Sequence, residues 1–191
     1  MHRTRASLLL RIRDRQDVAA WGEFDAIYRP LLYRYARTRG LDDAEAEDIV
    51  QQCMGAIHAR IDDFDYDPQK GRFKGWLCTV ASNRIRNLYR GRREQPAESK
   101  DLKRDQQRER APEAEFDRIW RDEHLRHCLR QVREEVQPEV YAAFERYVMR
   151  EQSAEEVCAA LDVTSDQLYR IKWRITQKIG DKMRALLGDD Y

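Results

Sequence analysis

The chain has 191 residues, of which 37% are charged, and its 36 basic residues nearly cancel its 35 acidic ones. No apolar run approaches the ~20 residues that span a bilayer, and the arginines that follow residues 7–10 exclude a signal-peptide core. The sequence therefore predicts a cytoplasmic protein with one domain or two small ones.

The cysteines lie far apart in the sequence, and no Cys-x-x-Cys pair occurs. Each falls in a helical pattern beside apolar neighbours, which favours reduced, buried thiols. His124, His127 and Cys128 lie close together on one predicted helix, but no second ligand pair at zinc spacing accompanies them. We therefore expect no metal and no cofactor. The four cysteines are Cys53, Cys78, Cys128 and Cys158.

Helical periodicity dominates the first ninety residues. Asp17 is the predicted N-cap of a helix with a buried stripe, and Gly40 is placed to end it. Pro30 falls inside this helix and is expected to kink it or divide it in two. The stripe consists of Trp21, Phe24, Ile27, Tyr28, Leu31, Leu32 and Tyr35.

A further helix is predicted to begin at Asp42 and Asp43, with more acids massed near the positive end of its dipole. One side of this helix is apolar between Ile49 and Ile61, and the other is polar and acidic. The polar side is either an ordinary solvated surface or a protein-binding surface. The helix alone does not decide between these alternatives.

Between Lys70 and Arg93 the chain carries eight basic residues and no acid. Cations that follow phosphates, beside aromatic faces on which bases stack, are typical of single-stranded nucleic-acid binding. The alternative is an amphipathic helix with a solvated basic face and an aromatic core stripe. The aromatic residues in and just before this run are Phe64, Tyr66, Phe73, Trp76 and Tyr89.

Residues 91–112 have almost no apolar side chains and carry mixed charges. Such a segment buries too little surface to offset its ordering entropy, so we interpret it as a flexible linker. It separates a domain at 1–90 from a domain at 113–191. The predicted fold class is all-α, with two small helical domains.

The second domain begins with a long amphipathic helix that ends near Val136, and Pro138 suits the first turn of the next helix. Residues 153–156 and 164–167 then match capping boxes, each followed by an apolar stripe. A short helix, a tight turn and a longer helix have helix-turn-helix spacing, in which the second helix enters the DNA major groove. Turn-linked helix pairs also occur in proteins that never contact DNA.

Together, three stretches resemble the sigma-70 family, specifically its two-domain extracytoplasmic-function sigma factors. Residues 43–52 are similar to region 2.2, which docks on the clamp coiled-coil of RNA polymerase. Residues 64–87 are similar to regions 2.3 and 2.4, and residues 153–179 to region 4.2. The resemblance covers about residues 8–90 and 113–187.

The resemblance implies a non-enzymatic transcription initiation factor that binds bacterial core RNA polymerase and directs it to promoters. Its partners would be core polymerase and promoter DNA, both double-stranded and as the melted non-template strand, and an anti-sigma factor is a further partner that the family allows. No membrane partner is implied. The implied polymerase-binding residues are Glu45, Asp48, Ile49, Gln51 and Gln52.

Region 2 would read and melt the −10 element, with Phe64 and Asn83 resembling residues that hold a flipped base. The implied −10 residues are Phe64, Lys70, Arg72, Phe73, Lys74, Trp76, Asn83, Arg84, Arg86, Asn87 and Arg90. Region 4 would bind the −35 element. The implied −35 residues are Ser165, Asp166, Gln167, Tyr169, Arg170, Lys172, Trp173 and Arg174.

The sequence departs from the family pattern at three places. Tyr169 stands where many members have an arginine, and Trp173 is bulkier than is usual on an exposed face. Ala46 resembles an inserted residue within the region 2.2 motif, directly before Glu47 and Asp48. The promoter sequence is therefore not carried over, and part of the −35 face is open to a protein contact instead.

Two other hypotheses compete with this interpretation. A stand-alone helix-turn-helix regulator with a ligand- or partner-binding N-terminal domain leaves the basic run unexplained. An enzyme is disfavoured because the sequence has no glycine-rich phosphate loop and no catalytic triad pattern. The acids at 62–67 are better explained as residues that shape a loop than as a magnesium site.

Overall fold

The computed structural model describes residues 5–61, 72–94 and 112–187, and every regular element in these ranges is a helix. The predicted all-α fold is confirmed. In chain order the elements are α1 (Arg5–Arg11), α2 (Val18–Thr38), α3 (Asp43–Arg60), α4 (Arg72–Glu94), α5 (Pro112–Glu135), α6 (Pro138–Phe144), a π-helical turn (Glu145–Met149), α7 (Ala154–Leu161) and α8 (Ser165–Leu187).

The helices form two compact units, Ala6–Glu123 and a C-terminal unit that begins at His124. The division therefore falls inside α5, whereas the sequence placed all of 113–191 in the second domain. Residues 91–94 form the last turn of α4, so they are helical where the sequence predicted the start of the linker. Residues 95–111, the rest of that segment, lie outside the described residues.

The start and the end of α2 follow the predicted local chemistry. Asp17 accepts a hydrogen bond from the backbone N–H of Ala20 at 2.9 Å, which confirms the predicted N-cap. Gly40 follows the helix with φ of 87°, a left-handed conformation that glycine adopts without steric cost. The helix runs through Pro30 without division, because Tyr28 and Leu31 on either side are buried in one core.

The core of the N-terminal unit lies between α2, α3 and α4. The predicted stripe of α2 is buried except for Trp21, which is half-buried and has its ring 5.0 Å from the ring of His58. At the start of α3 a full capping box forms. The backbone N–H of Glu45 donates to the Asp42 carboxylate at 2.9 Å, and that of Asp42 donates to the Glu45 carboxylate at 3.0 Å.

In the C-terminal unit both predicted capping boxes are present. The backbone N–H of Glu156 donates to the Ser153 hydroxyl at 3.2 Å, and that of Gln167 donates to the Thr164 hydroxyl at 3.2 Å. Asp162, in the left-handed conformation with φ of 50°, ends α7 and makes the tight turn into α8. A core of Ala143, Val157 and Leu168 holds α6, α7 and α8 together. The predicted succession of a short helix, a tight turn and a longer helix is confirmed.

The cysteines are free in the described structure, and Cys53, Cys78 and Cys128 are buried as predicted. Burial raises the pKa of Cys53 to about 12 and that of Cys128 to about 11, so both are protonated thiols at neutral pH. Cys158 is only half-buried, so the prediction of burial is wrong at that position. Its helix α7 has just one fully buried side chain, that of Val157.

Among the described helices none combines the length and apolar character that crossing a membrane requires. Within the same residues no group of three or more histidine, cysteine or acidic side chains is arranged to hold a metal ion.

Candidate nucleic-acid interface

One face of α4 is fixed in the core of the N-terminal unit. Leu77, Ala81 and Ile85 recur every four residues and are buried, which sets the rotation of the helix about its axis. Two hydrogen bonds reinforce this rotation. The Ser82 and Tyr35 hydroxyls lie 2.9 Å apart, and the Tyr89 hydroxyl donates to the Arg39 carbonyl at 3.0 Å. The opposite face of α4 is therefore held outward.

The outward face carries a stripe of amide and guanidinium groups, which we call the α4 stripe. Successive turns of the helix contribute its members at positions 83, 86 and 87, and 90, so they form one stripe along the helix. The Arg86 guanidinium donates to the Asn83 side-chain oxygen at 3.0 Å, which orients both groups. The α4 stripe consists of the exposed residues Asn83, Arg86, Asn87 and Arg90.

Three further residues of the predicted −10 set have described side chains at the edges of α4. Lys74, Trp76 and Arg84 are half-buried. The Lys74 ammonium lies 3.2 Å from the Asp117 carboxylate of α5. These groups are accessible, but they do not lie in the row formed by the α4 stripe.

Phe73 is a correction to the predicted set. Its side chain is only 1% exposed, and its ring lies 5.2 Å from that of Tyr28 and 6.0 Å from that of Phe24, both edge-to-face. Phe73 therefore belongs to the core and offers no face to a base. Of the other predicted residues, Phe64 and Lys70 lie outside the described residues, and only the backbone of Arg72 is described.

A cleft of about 590 Å³ adjoins the α4 stripe. Cys78 lies on its wall, where burial raises the pKa of the thiol, so the wall is uncharged there at neutral pH. Sequence analysis missed the small residues of the cleft, although their spacing of four along α4 was available as a signal. The lining residues are Lys74, Gly75, Cys78, Thr79, Ser82, Asn83 and Arg86 from α4, with Glu113 and Asp117 from α5.

The polar side of α3 presents Asp48, Gln51 and Gln52, all exposed and separated by one helical turn. Glu45 is already engaged in the capping box and in an ion pair with Arg92. Ile49 is 1% exposed and packs in the core, so it is a correction to the predicted partner-binding set. The face available to a partner is therefore polar and acidic.

All eight predicted −35 residues are exposed on α8. Gln167 has a second role, because its side-chain oxygen accepts the Thr164 backbone N–H at 2.8 Å as part of the capping box. Tyr169 is 50% exposed with its ring 6.1 Å from that of Tyr147, and the Lys172 ammonium lies 5.4 Å from the centre of the same Tyr147 ring. Trp173 is 67% exposed.

Two apolar side chains that precede α7 are also exposed, which the sequence analysis did not predict. Val148 and Met149, in the π-helical turn, are 38% and 50% exposed. No sequence pattern marks this turn. A π-helical turn within a helical stretch changes the direction in which side chains point, but the spacing of apolar residues in the sequence does not reveal it.

The N-terminal unit is thus a small helical domain that holds a cationic helix outward, as nucleic-acid-binding domains do. Residues 26–95 match the sigma-70 region 2 family. The RNA polymerase sigma factor CnrH of Cupriavidus metallidurans is 35% identical over 74 residues, which are 39% of this chain and 37% of that protein. Residues 26–95 are thus similar to sigma-70 region 2, as the sequence predicted, and the chain spans little more than a third of the length of the curated relative that it matches.

The matched family range contains most of α2 and all of α3 and α4. It therefore includes the polar face of α3, the α4 stripe and the α4 wall of the cleft. The resemblance of residues 153–179 to region 4.2 stays a prediction, since the family match ends at residue 95.

Proposed function

We propose that the protein is a transcription initiation factor that binds bacterial core RNA polymerase and directs it to specific promoters. The observation that carries this proposal is the sigma-70 region 2 match over residues 26–95, on a domain that holds a cationic helix outward. Binding of polymerase and of promoter DNA are its two component activities.

The polymerase contact is assigned to the polar face of α3. Asp48, Gln51 and Gln52 are exposed on adjacent turns, and the apolar residues behind them are buried. A rigid helix with an acidic, amide-rich face suits a helical partner that offers basic and polar groups. Ile49 supports this face only indirectly, by anchoring α3 in the core.

The −10 contact is assigned to the α4 stripe. Arg86 and Arg90 would follow the phosphates of a melted strand, while Asn83 and Asn87 offer both donors and acceptors to bases. Extruding a base costs a few kcal/mol, and stacking on an aromatic returns about 1–3 kcal/mol per base. Trp76 is the half-buried aromatic of α4 closest in sequence to the cleft-lining Lys74 and Gly75.

The −35 contact is assigned to α8 in the helix-turn-helix. Gln167, Arg170 and Arg174 lie on adjacent turns and are exposed, as major-groove contacts require. Tyr169 and Trp173 form a second exposed row on α8, and the Tyr169 ring lies 6.1 Å from that of Tyr147. This second row has the character of a protein contact, with an anti-sigma factor as the partner that the family allows.

The alternative of a stand-alone helix-turn-helix regulator is not favoured. It accounts for α7 and α8 but gives no reason for a sigma-70 region 2 domain in the N-terminal unit. The two proposals also differ in oligomeric state, since classical operators are bound by symmetric dimers. Gel filtration of the isolated protein therefore provides a simple discrimination.

The decisive experiment is run-off transcription with bacterial core RNA polymerase on fragments of the source genome, with and without the protein. Specific transcripts that appear only in its presence would support the proposal and begin to define the promoter. Absence of transcripts, together with failure to co-elute with core polymerase, would contradict it.

A further inference from the structure

The first part of α5 lies against α4, although residues 95–111 separate the two helices in the chain. Residues 113–123 belong to the N-terminal compact unit together with α2, α3 and α4. We call them the clasp segment. Two of its acidic residues, Glu113 and Asp117, form one side of the cleft whose other side is α4.

Apolar burial anchors the clasp segment. Phe116 and Trp120 are 0% and 3% exposed, one helical turn apart. The Phe116 ring lies 5.0 Å from that of Tyr35 in an edge-to-face arrangement, and the Trp120 ring lies 5.5 Å from that of Tyr28. These contacts attach the segment to Tyr28 and Tyr35 of the buried α2 stripe, so its position on the unit is fixed by its own side chains.

A charged anchor fixes the orientation of the same segment. The Arg34 guanidinium on α2 donates to the Glu123 carboxylate at 3.0 Å and lies 3.2 Å from the Asp122 carboxylate. The Glu123 side chain is only 5% exposed. A largely buried carboxylate held by a guanidinium is costly to separate from its partner, so the segment has little freedom to rotate.

With the segment anchored in this way, Glu113 and Asp117 line the cleft beside the α4 stripe. Glu113 and Asp117 are four residues apart and share one side of the helix. The Asp117 carboxylate lies 3.2 Å from the Lys74 ammonium, a distance at which a phosphate oxygen would also bind. The same cleft contains Asn83 and Arg86 of the α4 stripe.

We infer that the clasp segment is an intramolecular acidic cover that competes with nucleic-acid phosphates for Lys74 and the adjoining cleft. The inference rests on the proposed function in one respect, namely that α4 binds nucleic acid. It adds a regulatory element, because affinity for nucleic acid then depends on whether Asp117 is engaged with Lys74.

The test is a double-mutant cycle on the full-length protein. A fluorescent single-stranded DNA of about 16 nucleotides is titrated by anisotropy at about 50 mM salt. Asp117→Asn should bind it about two- to fivefold more tightly than the wild type, the range expected for losing one exposed ion pair. In the Lys74→Gln background, Asp117→Asn should change the affinity by less than about 1.5-fold.

Glu134→Gln is the matched control. It also removes one exposed negative charge from α5, but Glu134 does not line the cleft. Equal gains from Asp117→Asn and Glu134→Gln would show a general charge effect and overturn the inference. An undiminished gain in the Lys74→Gln background would overturn it as well.

Two other outcomes separate this inference from the proposed function. If the wild type binds the oligonucleotide and Asp117→Asn binds it equally well, the inference that the clasp segment competes with phosphates is refuted, while the proposed role of α4 stands. If neither binds, the α4 assignment and the clasp are both refuted. Circular dichroism of each variant verifies an unchanged fold, which is expected because the Asp117 side chain is 46% exposed.

Discussion

The packing of α5 on the N-terminal unit makes Phe116→Ala a sharp test of the fold. Phe116 is fully buried against Tyr35 and Trp120. Removing a buried phenyl ring costs about 3–5 kcal/mol in transfer and cavity free energy. Since domains of this size are stable by only about 5–15 kcal/mol, the variant should lose about a fifth or more of its unfolding free energy. At a typical urea slope of about 2 kcal/mol/M, the midpoint should fall by about 2 M.

Tryptophan fluorescence isolates the relevant unit. Trp21, Trp76 and Trp120 lie in the N-terminal unit, and Trp173 is the remaining tryptophan of the chain. In a Trp173→Phe background the signal therefore reports the N-terminal unit alone. Leu10→Ala is the control in the same unit, because Leu10 is 55% exposed and its truncation should cost less than about 1 kcal/mol. A loss for Phe116→Ala no larger than that for Leu10→Ala would refute the assignment of residues 113–123 to this core.

Three further predictions concern other sites. Asp48→Arg should weaken co-elution with core polymerase. Asn83→Ala should leave co-elution intact and reduce promoter opening, measured by permanganate reactivity. The same defect in both variants would contradict the assignment of polymerase binding to α3 and of promoter opening to α4. Ser153→Ala removes an N-cap and should lower the unfolding free energy by about 1 kcal/mol in urea titrations, with Ser153→Asp as the variant that retains it.

The third concerns His127, whose pKa is lowered to about 4 by burial and, to a smaller extent, by Arg130 and Lys182. Because the unfolded chain binds the proton more readily, stability should fall as pH decreases from 6.5 toward 4, by about 2 kcal/mol at pH 5. His127→Gln should abolish that part of the pH dependence in urea titrations, and an unchanged dependence would contradict it.

Features set by neighbouring residues in the chain could be predicted from the sequence. The capping boxes at Asp42, Ser153 and Thr164 depend on side chains three residues apart, so the pattern and the hydrogen bonds coincide. The exposed stripe of α4 follows from helical periodicity in the same way. The rotation of a helix about its axis can thus be predicted from its own sequence, because the spacing of its apolar residues shows which side must be buried.

Features set by distant residues could not be predicted in this way. Periodicity places Phe73 at the start of α4 but does not tell whether Tyr28 will meet its ring. The burial of Ile49 is a different case, because periodicity already placed it on the apolar side of α3 and only the family resemblance put it in the partner-binding set. The division inside α5 had no local signal, because the surface that receives Trp120 is formed by α2 and α4.

Charge pairing within the chain bears on how tightly the isolated protein binds DNA. The net charge is +1, Lys74 is paired with Asp117, and Arg92 is paired with Glu45, so few of the α4 cations whose side chains are described remain for phosphates. If Arg84, Arg86 and Arg90 contact a single strand, the slope of log affinity against log salt should be about −2. Affinity should then fall about 20-fold between about 50 and 200 mM salt. We therefore expect a promoter footprint only with core polymerase present, and a tight, sequence-specific footprint of the isolated protein at physiological salt would refute this balance of charges.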